Sequence, residues 1–148
     1  MKRVALGPAA PADAAALARI LGDWVRGTGW MPVLHSRAED LAFLSGLIGR
    51  QAVLVVRRGG AAVGFIAADG GEVTALHVAA DQRGRGIGKA LLDAVRAGAP
   101  SLSLWTFQAN SRAIAFYRRE GFAEAGRTEG AENEEGLPDL RMIWRRAP

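Results

Sequence analysis

A central segment, Asp81-Gln82-Arg83-Gly84-Arg85-Gly86-Ile87-Gly88-Lys89-Ala90-Leu91-Leu92, constrains this chain more than any other. It follows the apolar run Val73-Thr74-Ala75-Leu76-His77-Val78 and opens a helical pattern with Ile87, Leu91 and Val95 on one face. A strand that turns through glycines into a helix aims several unpaired backbone N–H groups at one point, and the helix dipole adds partial positive charge there. That arrangement suits a phosphate or pyrophosphate. Gly84, Gly86 and Gly88 let a ligand approach the backbone without meeting a Cβ, and Arg83, Arg85 and Lys89 supply full charges.

Spacing decides which anion cradle this is. A Walker A loop needs Gly-x-x-x-x-Gly-Lys-Ser/Thr, but positions 83 and 90 hold Arg and Ala. A dinucleotide fingerprint starting at Gly84 needs glycine at 89, which is Lys. The segment Arg83-Gly84-Arg85-Gly86-Ile87-Gly88 instead fits Arg/Gln-x-x-Gly-x-Gly/Ala. A second block follows, Asn110-Ser111-Arg112-Ala113-Ile114-Ala115-Phe116-Tyr117-Arg118-Arg119-Glu120-Gly121-Phe122: an Asn opening a helix that carries a Tyr and ends in Gly-Phe. In this order, separated by one helix and one strand, the two blocks resemble the GNAT superfamily of N-acetyltransferases. The likeness covers most of the chain from about residue 50 onward. The segment Glu134-Glu135-Gly136-Leu137-Pro138-Asp139 is similar to one in bacterial members.

The 148 residues are read as one domain, 1–148, large enough for a core without staples. Pro8, Pro11 and Asp13 interrupt the apolar start, which argues against a signal peptide, and no apolar run approaches the length of a membrane span. The absence of cysteine removes disulfides, thiolate metal sites and a Cys acyl-enzyme, and fits the cytoplasm. No carboxylate cluster near the glycine turn suggests a metal. The net charge of +4 raises the question of nucleic acid, but the arginines are scattered and no recognition helix or aromatic ladder accompanies them.

Residues Arg3–Leu6 read as a short strand, and Pro11 starts a helix through Ala12–Arg26. Ser36-Arg37-Ala38-Glu39 is a capping box launching a second helix. Ala52–Arg57 and Ala61–Asp69 form a hairpin, Glu72–Val78 a third strand of that set, and Leu102, Leu104 and Thr106 alternate along the next. After the Asn110 helix, Phe122–Arg127 and Leu140–Arg145 read as closing strands around a polar loop, Glu129–Pro138. The order βααβββαβαββ is that of the GNAT fold: α/β, with a mixed, strongly twisted sheet of about seven strands flanked by about four helices.

The resemblance implies acetyl-coenzyme A as donor and a primary amine of a small molecule or peptide as acceptor. A different reading is a silent module that binds and senses acyl-coenzyme A. In the family the strands on either side of the first cradle helix part, and the pantetheine arm enters between them along Leu76 and Val78, with a backbone N–H near Val78 facing the thioester oxygen. The diphosphate is expected over the N–H groups from Arg83 to Lys89, Gly88 and Ile87 included, and the 3′-phosphate near Arg83, Lys89 or Arg112. Asn110 and Ala113 are expected against the cofactor arm. Tyr117 is the expected acid for the departing thiolate, with packing on the helix face as its alternative role. Glu72 stands at the offset before Gly86 where some members carry a glutamate base, or else flanks the Gly70-Gly71 turn in solvent. Strict alternation would put Glu72 on the face of Thr74 and Leu76, and His77 on the opposite face. His77 reads as a packed, hydrogen-bonded histidine or an acceptor contact. Trp30, His35 and Glu134 could reach the acceptor, as could Trp24, Met31 and Trp105, and each is also explained by packing or a solvated surface. Pairing of two copies through the closing strands is compatible with the sequence.

Overall fold

The computed structural model describes residues 3–148. A seven-stranded sheet has the spatial order β1-β2-β3-β4-β5-β7-β6. Its strands are β1 (Val4–Pro8), β2 (Ala52–Arg58), β3 (Ala61–Asp69), β4 (Glu72–Val78), β5 (Ser101–Phe107), β6 (Ala123–Thr128) and β7 (Asp139–Arg145). Four helices flank it: α1 (Ala14–Gly27), α2 (Arg37–Arg50), α3 (Ile87–Arg96) and α4 (Ser111–Arg119). The sheet is mixed, because β4 and β5 run parallel while every other neighbouring pair is antiparallel. The parallel pair follows from the chain: a strand, a crossover helix and a return strand bring the second strand back in the same direction.

Two apolar clusters hold the layers. On one face, Ile66 and Val73 meet Leu102, Leu104, Leu140 and Met142 beneath Ile87, Leu91 and Leu92 of α3 and Tyr117 of α4. On the other, Val53, Val55, Phe65 and Ala67 pack under Ala14, Leu17 and Ala18 of α1 and Leu44 and Leu47 of α2. Leu17, Leu44, Leu91 and Leu92 are wholly enclosed, and each such side chain contributes roughly 1.5–3 kcal/mol through removal from water.

Local chemistry sets the helix ends. Ser36 Oγ accepts from the Glu39 N–H at 3.1 Å, and the Ser36 N–H donates back to Glu39 Oε1 at 2.9 Å, which is the expected capping box. Pro11–Asp13 forms a separate 3₁₀ turn rather than the first turn of α1. The Asp13 carboxylate explains the break: it accepts from the Ala10 N–H at 2.7 Å and grips Arg57 with both oxygens, so it pins the turn to β2. α4 stops where Gly121 takes a positive φ of 92° and the Phe122 N–H reaches the Tyr117 carbonyl at 2.9 Å.

β4 departs from simple alternation. Ala67 of β3 pairs with Ala75 while Ala68 pairs with Val73, so Thr74 is an extra residue, a bulge. Beyond it the parity flips. Glu72 therefore shares the α1–α2 face with Ala75 and His77, while Val73, Leu76 and Val78 face α3. The alternation expected from sequence, with Glu72 and His77 on opposite faces, is corrected by this one inserted residue.

Candidate active site

β4 and β5 are joined at one register position, Glu72 with Ser103, anchored by the Ser103 N–H donating to the Gly71 carbonyl at 2.9 Å. Past that junction the strands part. The β5-facing edge of β4 thus leaves its ladder groups open through Val78, as an added strand-like ligand requires. Leu76 and Val78 turn their side chains into the α3-side core, so only their backbone faces the gap.

At the wide end of the gap the chain makes a 3₁₀ turn, Ala80–Gln82, and then the glycine turn. Gly84 and Gly86 both have φ of 78°, a left-handed conformation that L side chains rarely adopt, and a Cβ on either would stand in open space. Gly86 caps α3 with no side chain bonded to the helix end, so the first N–H groups, from Ile87 to Lys89, project outward. Ile87 itself points inward and is buried. Gly88 lies against the Phe116 ring of α4, 3.6 Å from where a Cβ would be, which seats the start of α3 against the second half of α4.

The cations divide. Arg83, Arg85 and Arg112 are exposed and make no hydrogen bond or ion pair among the described residues. Lys89, expected beside them, is instead held by Asp93 at 3.0 Å and Glu120 at 3.4 Å, and that cluster raises its pKa, Asp93 foremost. Arg96 completes the cluster against Glu120 at 2.6 Å, tying α3 to the end of α4. Lys89 is exposed too, but its ammonium is shared between two carboxylates, whereas the three arginines have no partner among the described residues.

Asn110 caps α4 as the sequence suggests, its Oδ1 accepting from the Ala113 N–H at 3.1 Å. Its amide NH₂ keeps its donors uncommitted among the described residues. Tyr117, about two helical turns beyond Asn110, is 8% exposed between Phe116 and Phe122, with ring centroids 5.2 and 5.3 Å away. Its hydroxyl bonds no group among the described residues and is not among their fully enclosed unpartnered atoms, so the phenol oxygen retains an opening. Burial pushes its pKa upward, which keeps the proton on at neutral pH.

On the α1 face lie the residues expected near an acceptor. Glu72 sits at the closed end of the gap, 3.7 Å from Arg141 Nη1, and Arg141 in turn lies over Trp105 at 5.5 Å. His77 packs between Trp24 and Phe65, centroids 5.1 and 5.7 Å away. It is packed as expected, but its ring finds no hydrogen-bond partner among the described residues. Burial pushes its pKa down to about 4, and the Arg83 charge adds to the shift, so it is neutral across the physiological range. Trp30 meets Trp24 and Phe107 edge-on at 6.0 and 5.8 Å. His35 and Glu134, far apart in sequence, touch through Nε2 and Oε1 at 2.7 Å. Sequence reasoning missed Arg141, Phe107 and the Thr74 bulge. No local signal marks the first two, since their roles arise from register across β5 and β7. An open depression of about 480 Å³, lined in part by Trp105, Phe107, Glu132 and Asn133, adjoins this face at the end of β5.

The profile of the acetyltransferase (GNAT) domain matches residues 49–124, just over half the chain and the segment that carries the parted strands, the glycine turn and all of α4. The chain belongs to the GNAT superfamily of acetyltransferases. Peptidyl-lysine N-acetyltransferase YjaB of Salmonella typhimurium is 35% identical over 82 residues, a stretch that spans 55% of this chain and 57% of that protein. The chain thus matches somewhat over half the length of that GNAT relative. The solution structure of apo-form YjaB from Escherichia coli superposes with a TM-score of 0.80 at 23% identity, over 98% of this chain and 99% of that one. The yncA structure from Salmonella typhimurium, solved with its cofactor acetyl-CoA, gives a TM-score of 0.73 at 20% identity over 96% and 93%. These likenesses make the GNAT fold secure. No helix among the described residues is long and apolar enough to cross a membrane.

Proposed function

We propose that the protein transfers an acetyl group from acetyl-coenzyme A directly to a primary amine. The observation that carries this reading is the single-pair junction of β4 and β5 beneath an uncapped helix N-terminus with two left-handed glycines. A diphosphate fits the outward N–H groups of Ile87, Gly88 and Lys89, with Arg83 and Arg85 beside it and Arg112 within the same corner. The pantetheine arm then lies along the open edge of β4 at Leu76 and Val78, and the Asn110 amide and the backbone at Ala113 flank it from α4.

The amine nitrogen attacks the thioester carbonyl, forming a C–N bond, and collapse of the tetrahedral intermediate breaks the C–S bond. A backbone N–H of β4 stabilises the oxyanion, a task worth about 3–4 kcal/mol in water-excluded sites. Tyr117 gives its proton to the leaving sulfur. A thiol of pKa about 8.5 already leaves fairly well, so this acid adds a modest factor. An alkyl amine of pKa about 10.4 costs roughly 4–5 kcal/mol to deprotonate at pH 7. Glu72 takes that proton through water: its carboxylate is open to solvent on the acceptor face, whereas the His77 ring on the same face is packed between Trp24 and Phe65.

YjaB's description as a peptidyl-lysine N-acetyltransferase supports a lysine-like acceptor. The test is purified protein with acetyl-coenzyme A, a panel of peptides, polyamines and amino acids, and a mass-shift readout. Acetylated product confirms the reading. Coenzyme binding with no product across the panel would instead favour a sensing module.

A further inference from the structure

We infer that a chain of four rings, His77–Trp24–Trp30–Phe107, is the acceptor filter of this protein, with Trp30 the specificity-determining residue, and that it restricts acceptors to primary amines on unbranched alkyl chains. This inference rests on the acetyl-transfer reading and deepens it. The gap between β4 and β5 can be entered from two faces. The α3 face is filled by the core packed beneath Ile87, Leu91 and Tyr117. An acceptor therefore arrives on the α1 face.

There the opening has a complete frame. β4 and β5 form its sides. The Glu72–Ser103 pair, with Arg141 beside it, closes the narrow end. The ring chain crosses the wide end: His77 on β4 touches Trp24 of α1 at 5.1 Å, Trp24 touches Trp30 of the following loop at 6.0 Å, and Trp30 touches Phe107 of β5 at 5.8 Å. At the narrow end Glu72 and Trp105 are also linked, through Arg141, so the ring chain is the link that spans the wide end. The rings would flank an alkyl stem, and their faces favour a cationic tip over an anionic one. A branched or ring-bearing amine would have to displace an indole.

Trp30 is the member able to yield. Trp24 is fixed on α1 and Phe107 on β5, whereas Trp30 follows the Gly27-Thr28-Gly29 turn, held by the Met31 N–H to the Thr28 carbonyl at 3.0 Å. Shortening Trp30 opens the frame without touching the strands.

The experiment compares wild type, Trp30→Ala and Trp30→Phe, each saturated with coenzyme A. Calorimetry measures binding of two probes, 1,5-diaminopentane and benzylamine, and the same pair is then offered with acetyl-coenzyme A. In Trp30→Ala the benzylamine-to-diamine affinity ratio should rise at least tenfold, with Trp30→Phe restoring most of the wild-type preference. An unchanged ratio in Trp30→Ala overturns the filter. Because the ratio is read from binding, absence of acetylated product would count against the acetyl-transfer reading alone.

Discussion

The two sides of the parted strands are built by opposite means. On the α3 side the site is backbone: helix N–H groups, left-handed glycines and the open edge of β4, all within one continuous stretch of chain. On the α1 side it is side chains brought from five separate elements, from Trp24 on α1 to Arg141 on β7. A backbone site binds what every member of a family shares, because its geometry survives most substitutions. A side-chain site changes with each residue and so is where an individual protein sets its acceptor.

The largest effect should come from the backbone side. Gly86→Glu places a Cβ at φ 78° and a carboxylate where a diphosphate would sit. Acetyl-coenzyme A affinity should fall at least 100-fold, about 3 kcal/mol or more, by calorimetry, with the far-UV spectrum retained. Retained affinity would put the coenzyme elsewhere and dissolve the contrast between the two sides. Lys89→Ala, by comparison, should weaken binding less than Arg83→Ala, since Asp93 and Glu120 already occupy its ammonium.

Next in size is Tyr117→Phe, a side chain on the otherwise backbone-built α3 side. The rate constant kcat should drop by about one to three orders of magnitude with coenzyme affinity nearly unchanged. Its pKa is raised by burial, so the wild-type profile should show no loss of this acid below pH 9. An unaltered kcat would reduce Tyr117 to a packing residue between Phe116 and Phe122. Glu72→Gln should cost about tenfold in kcat/KM at neutral pH, with the loss shrinking as pH rises and the free amine becomes abundant.

The same contrast explains what could be read from the sequence. The glycine turn, the Asn110 cap, the Ser36–Glu39 box and the element order were legible because each is encoded within a few adjacent residues. The acceptor frame was not. Trp30 and Phe107 are 77 positions apart, and nothing in either segment announces that they touch. The faces of Glu72 and His77 were misassigned because Thr74 breaks the period of two, and a bulge without glycine leaves no composition mark. The acidic partners of Lys89 in space, Asp93 and Glu120, are likewise not evident from its cationic neighbours in sequence.

The smallest effect concerns the strap over the acceptor side, where the α1–α2 loop meets the β6–β7 loop through His35 and Glu134 at 2.7 Å, with Glu39 at 3.7 Å and the Arg26 guanidinium donating to the His35 carbonyl at 3.0 Å. The β6–β7 loop is internally braced, since the Asn133 NH₂ donates to the Leu137 carbonyl at 2.7 Å and to Asp139 at 3.2 Å. Glu134 chiefly, then Glu39, raises the His35 pKa above its ordinary value. A raised folded-state value means the contact is fully present below the unfolded histidine pKa of about 6.5 and is lost as pH climbs through the folded value. Both side chains are exposed, so stability should barely register the change. An NMR titration of the His35 ring should show a midpoint above 6.5 that falls toward it in Glu134→Gln. A midpoint indifferent to that substitution would mean that no ion pair joins the two loops, leaving the α1–α2 loop tied to β5 through Trp30 and Phe107.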